Sequence, residues 1–269
     1  MKSIIFSFLC SLFLIGCISN ENNTQVNSTI NTNLLSSIKK SPTTSAVIIG
    51  MENSKAFGHC PGSAIDSKNA ETILSAYTDN VIVLNDKNAT IRNVSSALND
   101  AVTNELCIVY YSGHGGSHAF NDSNTQLEAD KVDEYLCLYD GAFRDDSIWE
   151  IISKSKGRVF LIFDCCHSAT MFRVPGITFG GLRYEQVYPR GREATVMKML
   201  CWSGCPDNTY SYGSSSGGKF SNCIWSYFKP SETYDQLWKK LSSDKALKSY
   251  EVIQTTNINE FDLNSPIFK

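Results

Sequence analysis

Two patterns of apolar and polar residues alternate along this chain. Short, continuous apolar runs are typical of strands buried on both faces of a sheet, and they occupy Val47–Gly50, Val81–Leu84, Leu106–Tyr111, Arg158–Phe163 and Thr195–Trp202. Other segments repeat apolar residues every three or four positions, as on one face of a helix. These predicted helices are Ile65–Tyr77, Ile91–Val102, Asp145–Lys154 and Tyr234–Leu241. The alternation predicts an α/β fold, with a mostly parallel sheet covered by helices on both faces.

The first 45 residues follow neither the strand pattern nor the helix pattern. Met1–Lys2 is a positive start, and the mostly apolar stretch Ile4–Gly16 has the length of a signal-peptide core rather than of a membrane span. Residues 17–45 are rich in Asn, Ser and Thr, a composition typical of a flexible tether. We therefore predict a signal peptide over residues 1–16, a tether over 17–45 and one folded domain over 46–269.

The apolar stretch closes with Leu14-Ile15-Gly16-Cys17, which resembles the lipobox of prokaryotic lipoproteins. The resemblance implies cleavage before Cys17 and a lipid on that residue, which would hold the domain at the outer face of a prokaryotic cytoplasmic membrane. An ordinary secretory signal, with Cys17 incidental, is the alternative.

Charge and cysteine content narrow the function classes. The 269 residues carry a formal net charge of -3, so nothing indicates a nucleic-acid partner. Of the ten cysteines, Cys10 and Cys17 lie in the signal segment, whereas Cys107 and Cys137 lie in apolar runs that favour buried thiols. No CxxC pair occurs, which argues against a structural zinc site. We expect one disulfide at most, and the sequence does not choose its partners.

Two predicted strands end just before residues that can do chemistry. His114 follows the strand Leu106–Tyr111, and Cys166 follows the strand Arg158–Phe163. Since catalytic groups gather at the carboxyl edge of a parallel sheet, we expect the imidazole and the thiol to lie within reach of each other. A cysteine beside a histidine suffices for thiolate catalysis. Strand alternation lets only one of Cys165 and Cys166 face this cleft, and a buried pair of structural cysteines is the alternative.

Glycines flank the histidine. Gly113 and Gly115 allow the backbone to approach a substrate closely and to adopt conformations closed to other residues. An amide at this point can donate to a developing oxyanion, which is usually a large catalytic contribution. A plain glycine-rich turn that contains a histidine is the alternative interpretation.

Two motifs together resemble the signature of metacaspases and related caspase-like cysteine peptidases: Tyr111-Ser112-Gly113-His114-Gly115 and Asp164-Cys165-Cys166-His167-Ser168. The likeness covers most of the chain from Ala46 onwards and implies a caspase-like three-layer fold. Four flanking segments share it: Ala46–Gly50 resembles the opening strand, Gly62–Asp66 a Gly-Cys-x-Asn-Asp turn with serine in place of the cysteine, Ser203-Gly204-Cys205 a later motif, and Phe261–Asn264 the terminal strand region.

The resemblance also implies catalytic roles for individual residues. Cys166 corresponds to the nucleophile, and His114 corresponds to the general base and later acid. The backbone amides of Gly115 and Cys166 correspond to the oxyanion hole.

Three further residues correspond to the family's S1 pocket, which selects Arg or Lys before the cleaved bond: Asp66, Ser112 and Asp164. Carboxylates suit this task because they bind guanidinium and ammonium groups through charge-assisted hydrogen bonds. Simpler interpretations stand beside this one. Asp66 can be a helix N-cap, and Asp164 can be a strand-end residue capped by nearby amides.

Some members of the family bind calcium through separated carboxylates, and three of those positions match Asp130, Asp145 and Asp146. Oxygen clusters of this kind suit a hard cation. Against a calcium site, the position that often supplies a further aspartate is Arg173 here. Asp145 and Asp146 can instead begin a helix, where acids are favoured. We expect no cofactor to be required, with calcium as an optional ligand.

Two segments distinguish this chain from the family pattern. After Ser203-Gly204-Cys205 the family usually continues into Gln-Thr-Ser-Ala-Asp, whereas this chain has Pro206–Gly213, which removes an acid from the outer substrate cleft. The loop-like stretch 173–192 holds four arginines, and we hypothesise that an Arg-specific peptidase cleaves itself there. They are Arg173, Arg183, Arg190 and Arg192.

These features predict a cysteine endopeptidase that cleaves protein or peptide substrates after Arg or Lys. We expect membrane association through the lipid, and a monomer is favoured. One alternative is a caspase-like binding or scaffold module with an idle dyad; another is hydrolysis or transfer of a non-peptide acyl group. The peptidase is favoured because an idle site does not need the dyad and a non-peptide substrate does not need the acidic pair of Asp66 and Asp164.

Overall fold

The structure is a computed structural model that describes residues 40–120, 133–166, 197–204, 213–229, 231–248 and 261–268, together with the backbone of 178–179, 182–183 and 254–258. The described strands, in chain order, are β1 (Thr44–Gly50), β2 (Asn53–Ser54), β3 (Gly58–His59), β4 (Asn80–Asn85), β5 (Leu106–Ser112), β6 (Gly115–His118), β7 (Asp133–Cys137), β8 (Ala142–Arg144), β9 (Arg158–Asp164), β10 (Thr178–Phe179), β11 (Leu182–Arg183), β12 (Lys198–Ser203), β13 (Gly213–Ser214), β14 (Gly217–Gly218) and β15 (Gln254–Ile258). The described helices are α1 (Ser63–Leu74), α2 (Ile91–Ala101), α3 (Asp145–Ile152), α4 (Lys219–Tyr227), α5 (Tyr234–Ser243) and α6 (Lys245–Lys248), and a short 3-10 turn covers Asp86–Asn88.

Six strands form the central sheet in the order β15-β12-β9-β5-β1-β4. The strands from β12 to β4 are parallel, and β15 pairs with β12 in the antiparallel direction. This arrangement confirms the predicted, mostly parallel sheet. β5 and β9 are direct neighbours, with Ser112 opposite Asp164 at their carboxyl ends. Residues that follow these two strands therefore emerge side by side at one edge of the sheet.

A hydrophobic core lies on each face of the sheet, because successive side chains of a strand point to opposite faces. On β5, Val109 and Tyr111 join the core covered by α2 and α3. Their neighbours Ile108 and Tyr110 join the core covered by α1, α4 and α5. The three layers of helices, sheet and helices confirm the predicted three-layer α/β fold.

Local capping fixes where the helices begin. Thr90 accepts a hydrogen bond from the amide of Asn93 at the start of α2, and Thr233 and Gln236 form a reciprocal capping box at the start of α5. α1 follows Gly62, whose φ of 92° lies in the left-handed region that glycine tolerates. The carboxylate of Glu52 accepts from the amide of Ala64 in the first turn of α1, at 3.1 Å.

Three elements differ from the sequence predictions. The segment Phe261–Asn264, which resembles the family's terminal strand region, forms no strand: the last described strand is β15, and Phe261 lies beyond it with its ring buried. Helix α4 was not predicted, because its apolar stripe is short and interrupted by Ser and Asn. The antiparallel sheet β6-β7-β8, inserted between β5 and β9, was also missed.

Several predictions lie outside the described residues: the signal peptide, Cys17, residues 17–39 of the tether, Asp130, Arg173, Arg190, Arg192, Cys205 and the side chain of Arg183. The described cysteines form no disulfide with one another. Within the same residues, no helix combines the length and the apolar character that crossing a membrane requires.

Candidate active site

Strand alternation decides which side chains reach the carboxyl edge of the sheet. Phe163 and, just past β9, Cys165 pack into the core beneath α2 and α3. Asp164 lies on the opposite face, where it accepts hydrogen bonds from α4. Cys166 keeps this alternation and lines a pocket together with Asp66 and Asp164. Cys166, rather than Cys165, therefore faces the cleft, although it is largely buried.

His114 lies two residues beyond the end of β5, and its backbone is held in place. The hydroxyl of the fully buried Tyr111 donates to the carbonyl of His114 at 2.7 Å and shares its proton with the carbonyl of Cys137 at 3.0 Å. The amide of Gly113 donates to the carbonyl of Asp164 at 3.3 Å. These bonds connect the histidine loop directly to the segment that carries Cys166.

Gly115 comes into close contact with the backbone that follows β9, a contact other than the predicted approach to a substrate. A Cβ atom added to Gly115 would lie 2.0 Å from the carbonyl oxygen of Cys166 and 3.1 Å from the sulfur of Cys165. Only glycine permits this contact, because any other residue would overlap the backbone after β9. The loop after β5 and the loop after β9 therefore touch at Gly115 and Cys166. The two amides assigned to the oxyanion hole belong to these touching segments.

The imidazole of His114 is oriented by a backbone carbonyl that the sequence did not indicate. Its Nε2 lies 3.0 Å from the carbonyl oxygen of His59 at the end of β3. A carbonyl can only accept, so Nε2 carries the proton and Nδ1 is left as the basic nitrogen. This tautomer prepares His114 to accept a proton through Nδ1.

Asp66 points from the first turn of α1 into the pocket. It exposes 1% of its surface, accepts from the hydroxyl of Ser112 at 2.8 Å and accepts from the amide of Gly218 at 3.0 and 3.1 Å. The N-cap of α1 is Gly62, so the alternative interpretation of Asp66 as an N-cap is wrong. The structure thus brings Asp66 and Ser112, two of the predicted pocket residues, into direct contact.

Asp164 is held from the opposite side of the pocket by the start of α4. Its Oδ2 accepts from the amide of Ser221 at 3.0 Å and from the hydroxyl of Ser221 at 2.5 Å. Because that hydroxyl donates to the carboxylate, the buried hydroxyl of Tyr110, 2.5 Å from Ser221 Oγ, donates in turn to Ser221. Asp164 is therefore a strand-end residue capped by an amide, as one interpretation proposed, and it also lines the pocket.

The carboxylate of Asp164 perturbs the titration of Asp66. Burial raises the pKa of Asp66 well above its usual value, and the nearby charge of Asp164 raises it further. The hydrogen bonds from Gly218 and Ser112 lower the pKa and only partly offset this effect. Burial and the nearby Asp164 carboxylate therefore both favour the protonated form of Asp66.

A glycine-rich hairpin, formed by β13 and β14, closes over this acidic pair. A Cβ on Gly217, which has a φ of 100°, would lie 2.3 Å from Asp66 Oδ1, and a Cβ on Gly218 would lie 2.1 Å from Asp164 Oδ2. The pocket encloses about 20 Å³, roughly the room that one water molecule requires. The backbone of the hairpin therefore occupies the space directly above both carboxylates.

Other cysteines lie in settings that suppress their reactivity. Burial raises the pKa of the Cys107 thiol and of the Cys201 thiol to about 12. Burial also raises the pKa of Cys137, with the charge of Cys166 as a second cause. Thiolates are the reactive form, so these three positions are chemically quiet at neutral pH.

The predicted metal residues are not brought together within the described part of the chain. Asp145 and Asp146 are the first two residues of α3, where acids favourably face the helix N-terminus. Asp145 accepts from the amide of Asp146 at 2.8 Å, and Asp130 lies outside the described residues. No group of three or more potential metal ligands occurs among the residues that the structure describes.

Sequence reasoning missed three partners of this site: the carbonyl of His59, the amide of Gly218 and Ser221. A backbone group carries no residue-type signal, and Gly218 lies 152 positions from Asp66. The adjacent glycines at 217 and 218, followed by a helix, were the one signal that could have indicated a close approach.

A family model described as the caspase domain matches residues 43–263. Among curated proteins, the chain is 26% identical over 206 residues to metacaspase-5 of Trypanosoma cruzi, covering 65% of this chain and 45% of that protein. It is 24% identical over 274 residues to metacaspase-1 of Ajellomyces capsulatus, covering 76% of each. The chain spans under half the length of the trypanosome relative.

Two solved structures share the fold. A protein from Geobacter sulfurreducens superimposes with a TM-score of 0.64 at 21% identity, covering 85% of this chain and 99% of that one. Caspase-1 from Spodoptera frugiperda superimposes with a TM-score of 0.53 at 14% identity, covering 82% of this chain and 90% of that one. At these identities, the likeness concerns the fold alone.

Proposed function

The chain belongs to the caspase-domain family, and from this premise we propose that it is a cysteine endopeptidase that cleaves peptide bonds after Arg or Lys. One observation carries the proposal. The histidine loop and the cysteine loop touch at one edge of the sheet, and an acidic pocket opens beside Cys166. Such an arrangement combines a nucleophile, a base and a site for a cationic side chain.

In the proposed mechanism, the Nε2–H of His114 stays on the carbonyl of His59 while Nδ1 accepts the thiol proton of Cys166. The thiolate attacks the carbonyl carbon before the cleaved bond, and the electron pair moves onto the carbonyl oxygen. His114 then donates its proton to the departing amine, which leaves a thioester on Cys166. Water, deprotonated by His114, attacks the thioester and releases the acid product.

The oxyanion that forms in each half of the reaction needs donors that are already in place. The amides of Gly115 and Cys166 are the proposed donors, since they lie on the two loops that touch. Removing one such donor typically lowers kcat by about 10²- to 10³-fold.

Arg or Lys is the proposed residue before the cleaved bond because Asp66 and Asp164 lie beside the nucleophile. A guanidinium donates charge-assisted hydrogen bonds to carboxylates. Its positive charge also favours the deprotonated form of Asp66. To enter, such a side chain has to displace the Gly218 amide and widen the pocket of about 20 Å³. Movement of the glycine-rich hairpin is therefore part of the proposed binding step.

The testing experiment compares fluorogenic peptides that place Arg, Lys or Asp before the cleaved bond, each with and without calcium. Cys165→Ala is the matched control for Cys166→Ala, because the two thiols are adjacent and only Cys166 faces the cleft. We expect cleavage after Arg and Lys in the wild type and in Cys165→Ala, and none in Cys166→Ala.

Cleavage after Asp but not after Arg would overturn the proposed specificity. The absence of all cleavage, with and without calcium, would instead favour a binding module with an idle dyad. A rate that rises with calcium would support the metal assignment to Asp130, Asp145 and Asp146. Intact masses of wild type and Cys166→Ala after incubation test self-cleavage within residues 173–192, and masses that differ only by the sulfur atom lost in the substitution would exclude it.

Attachment to the outer face of a prokaryotic cytoplasmic membrane through Cys17 is a further part of the proposal, and it rests on the lipobox-like sequence. Metabolic labelling with a clickable fatty acid tests it. We expect label on the wild-type chain and none on Cys17→Ala; equal labelling of both would contradict it.

A further inference from the structure

We infer that Asp86 is a positioning residue for the catalytic histidine, acting through the hairpin formed by β2 and β3 (Asn53–His59). The inference rests on the proposed function and adds to it a residue that makes no contact with Cys166 or with the acidic pocket. Three successive hydrogen bonds, through Asn53 and His59, connect the carboxylate of Asp86 to the imidazole of His114.

The backbone of Asp86 has an unusual, left-handed conformation. Its φ of 46° makes it the one described residue other than glycine with a positive φ. Left-handed backbone is unfavourable for residues with a Cβ, and it persists only where surrounding contacts hold it. Asp86 follows β4 directly, so this turn directs its carboxylate towards β2 on the neighbouring stretch of chain.

The carboxylate then binds the start of the hairpin at three points. Oδ1 accepts from the amide of Glu52 at 3.0 Å and from the amide of Asn53 at 2.7 Å. Oδ2 accepts from the side-chain amide of Asn53 at 3.1 Å. Both carboxylate oxygens are thus used on two consecutive residues, which fixes the direction in which the chain leaves β1.

The side chain of Asn53 connects the carboxylate of Asp86 to His59 on the opposite strand of the hairpin. Because its Nδ2 donates to Asp86, its Oδ1 is the atom that faces Nδ1 of His59, 3.1 Å away, and the imidazole donates. Asn53 and His59 are also paired in the two-stranded sheet. The amide of Cys60 donates to the carbonyl of Glu52 at 2.7 Å and closes the base of the hairpin.

The last step is the bond from His114 Nε2 to the carbonyl of His59, at 3.0 Å. This bond sets both the tautomer and the plane of the imidazole. A two-residue strand has little stability of its own, so the position of the His59 carbonyl depends on the contacts that hold Glu52 and Asn53, the residues opposite Cys60 and His59 in the hairpin. Asp86 supplies those contacts, and loosening them moves the acceptor away from His114.

The experiment uses Asp86→Gly, which accepts the positive φ without strain and removes only the carboxylate. Asn53→Ala is the second variant, since it removes both side-chain bonds but leaves Asp86 to accept backbone amides. Asp244→Asn is the matched control. Its carboxylate also binds a backbone amide, that of Leu247 at 2.8 Å, and a tyrosine hydroxyl, in a part of the fold remote from the hairpin.

Two readouts separate positioning from general structural support. The first is kcat and KM with an Arg peptide substrate. The second is the pH dependence of the rate at which iodoacetamide alkylates Cys166, followed by peptide mapping, which requires no substrate. Misplacing a catalytic group by about 1 Å can cost about 10²-fold in rate. We expect Asp86→Gly to lower kcat by about tenfold to a hundredfold with KM nearly unchanged.

The same variant should shift the alkylation profile of Cys166 to higher pH, because a displaced imidazole stabilises the thiolate less. Asn53→Ala should show a smaller change in the same direction, and Asp244→Asn should show none. A folded Asp86→Gly or Asn53→Ala with wild-type kcat and a wild-type profile would overturn the inference. An equal loss of kcat in Asp244→Asn would also overturn it, since that loss would reflect stability alone.

The alkylation readout keeps this test independent of the proposed peptidase activity. A wild type that cleaves no peptide, but whose Cys166 profile still differs from that of Asp86→Gly, would contradict the proposed function and support the positioning role. Peptide cleavage with identical profiles and identical kcat values would do the reverse.

Discussion

Two carboxylates of this protein are equally buried and are stabilised in opposite ways. Asp66 and Asp133 each expose 1% of their surface. Asp133 accepts from the guanidinium of Arg144 at 3.1 Å, and that guanidinium lies over the ring of Phe120. Within the described residues, Asp66 is held by neutral donors, the hydroxyl of Ser112 and the amide of Gly218.

This difference distinguishes Asp133, an acid with a structural role, from Asp66, the acid proposed to bind a ligand. Burying a charge is costly unless a countercharge or several hydrogen bonds compensate it. Arg144 provides that countercharge for Asp133, whereas the neighbour of Asp66 is a second carboxylate, Asp164, which raises the pKa of Asp66. A perturbed acid in a cleft beside a nucleophile is typical of functional sites. This contrast supports the proposed role of Asp66 in binding the cationic side chain of a substrate.

The largest expected effect concerns substrate recognition. Asp66→Asn should lower kcat/KM for an Arg peptide by about 10²- to 10³-fold, because truncating one partner of a buried charge pair costs about 2–5 kcal/mol. The matched substitution Asp133→Asn should leave kcat/KM close to the wild-type value. Steady-state kinetics on both variants measures the contrast, and similar losses in the two would remove the distinction between the acids.

The second prediction concerns stability, for which the substitution of Asp133 is expected to have the larger effect. Asp133→Asn should lower the free energy of unfolding by about 3 kcal/mol, because it leaves the partly buried Arg144 without its charge partner. Adding Arg144→Met should restore part of the loss, since removing the second charge removes the cost of burying it. Urea denaturation of both variants measures these changes. No recovery in the double variant would contradict the account of Asp133 as a paired structural acid.

A smaller effect concerns the stability of Asp66→Asn. The pKa of Asp66 is raised above its usual value in the folded protein, so the fold favours the protonated acid. The wild type holds this stabilisation fully below the unfolded pKa and loses it as the pH rises through the folded pKa. Asp66→Asn should therefore be more stable than the wild type above that range. Unfolding curves at acidic and mildly alkaline pH measure it; an Asn variant that is less stable at both would contradict the sign.

The smallest expected effect is on the pH dependence of KM. A cationic side chain binds best when Asp66 is deprotonated. KM for an Arg peptide should therefore fall as the pH rises through the raised pKa of Asp66. The same profile should be flat in Asp66→Asn. Initial rates across that range measure KM, and a KM that rises with pH in the wild type would be the opposite of what this pocket predicts.

The sequence predicted the long elements and the residues at their ends. Continuous apolar runs located β5 and β9, and their chemistry-bearing ends located His114 and Cys166 at one edge. Strand alternation also reduced the choice between Cys165 and Cys166 to one, although it needed the register of β9 to make the choice. These features depend on local patterns, which a sequence contains.

The remainder of the site depends on contacts between distant or very short segments. The hairpins β2-β3 and β13-β14 use strands of two residues, which are too short to show any periodicity. Their contributions to the site, the His59 carbonyl and the Gly218 amide, are backbone groups. For Phe261–Asn264, a match of residue types to the family's terminal strand region did not fix where that strand lies in the chain, and the last described strand ends at Ile258.

The most direct test of the central claim labels the protein with peptidyl chloromethyl ketones that carry either Arg or Asp next to the warhead, followed by peptide mapping. The account predicts an adduct on Cys166 with the Arg probe, little with the Asp probe, and loss of the Arg adduct in Asp66→Asn while iodoacetamide still alkylates its Cys166. Equal labelling of Cys166 by both probes, or an Arg-probe adduct unaffected by Asp66→Asn, would contradict the claim that one thiol and one acidic pocket act on the same substrate.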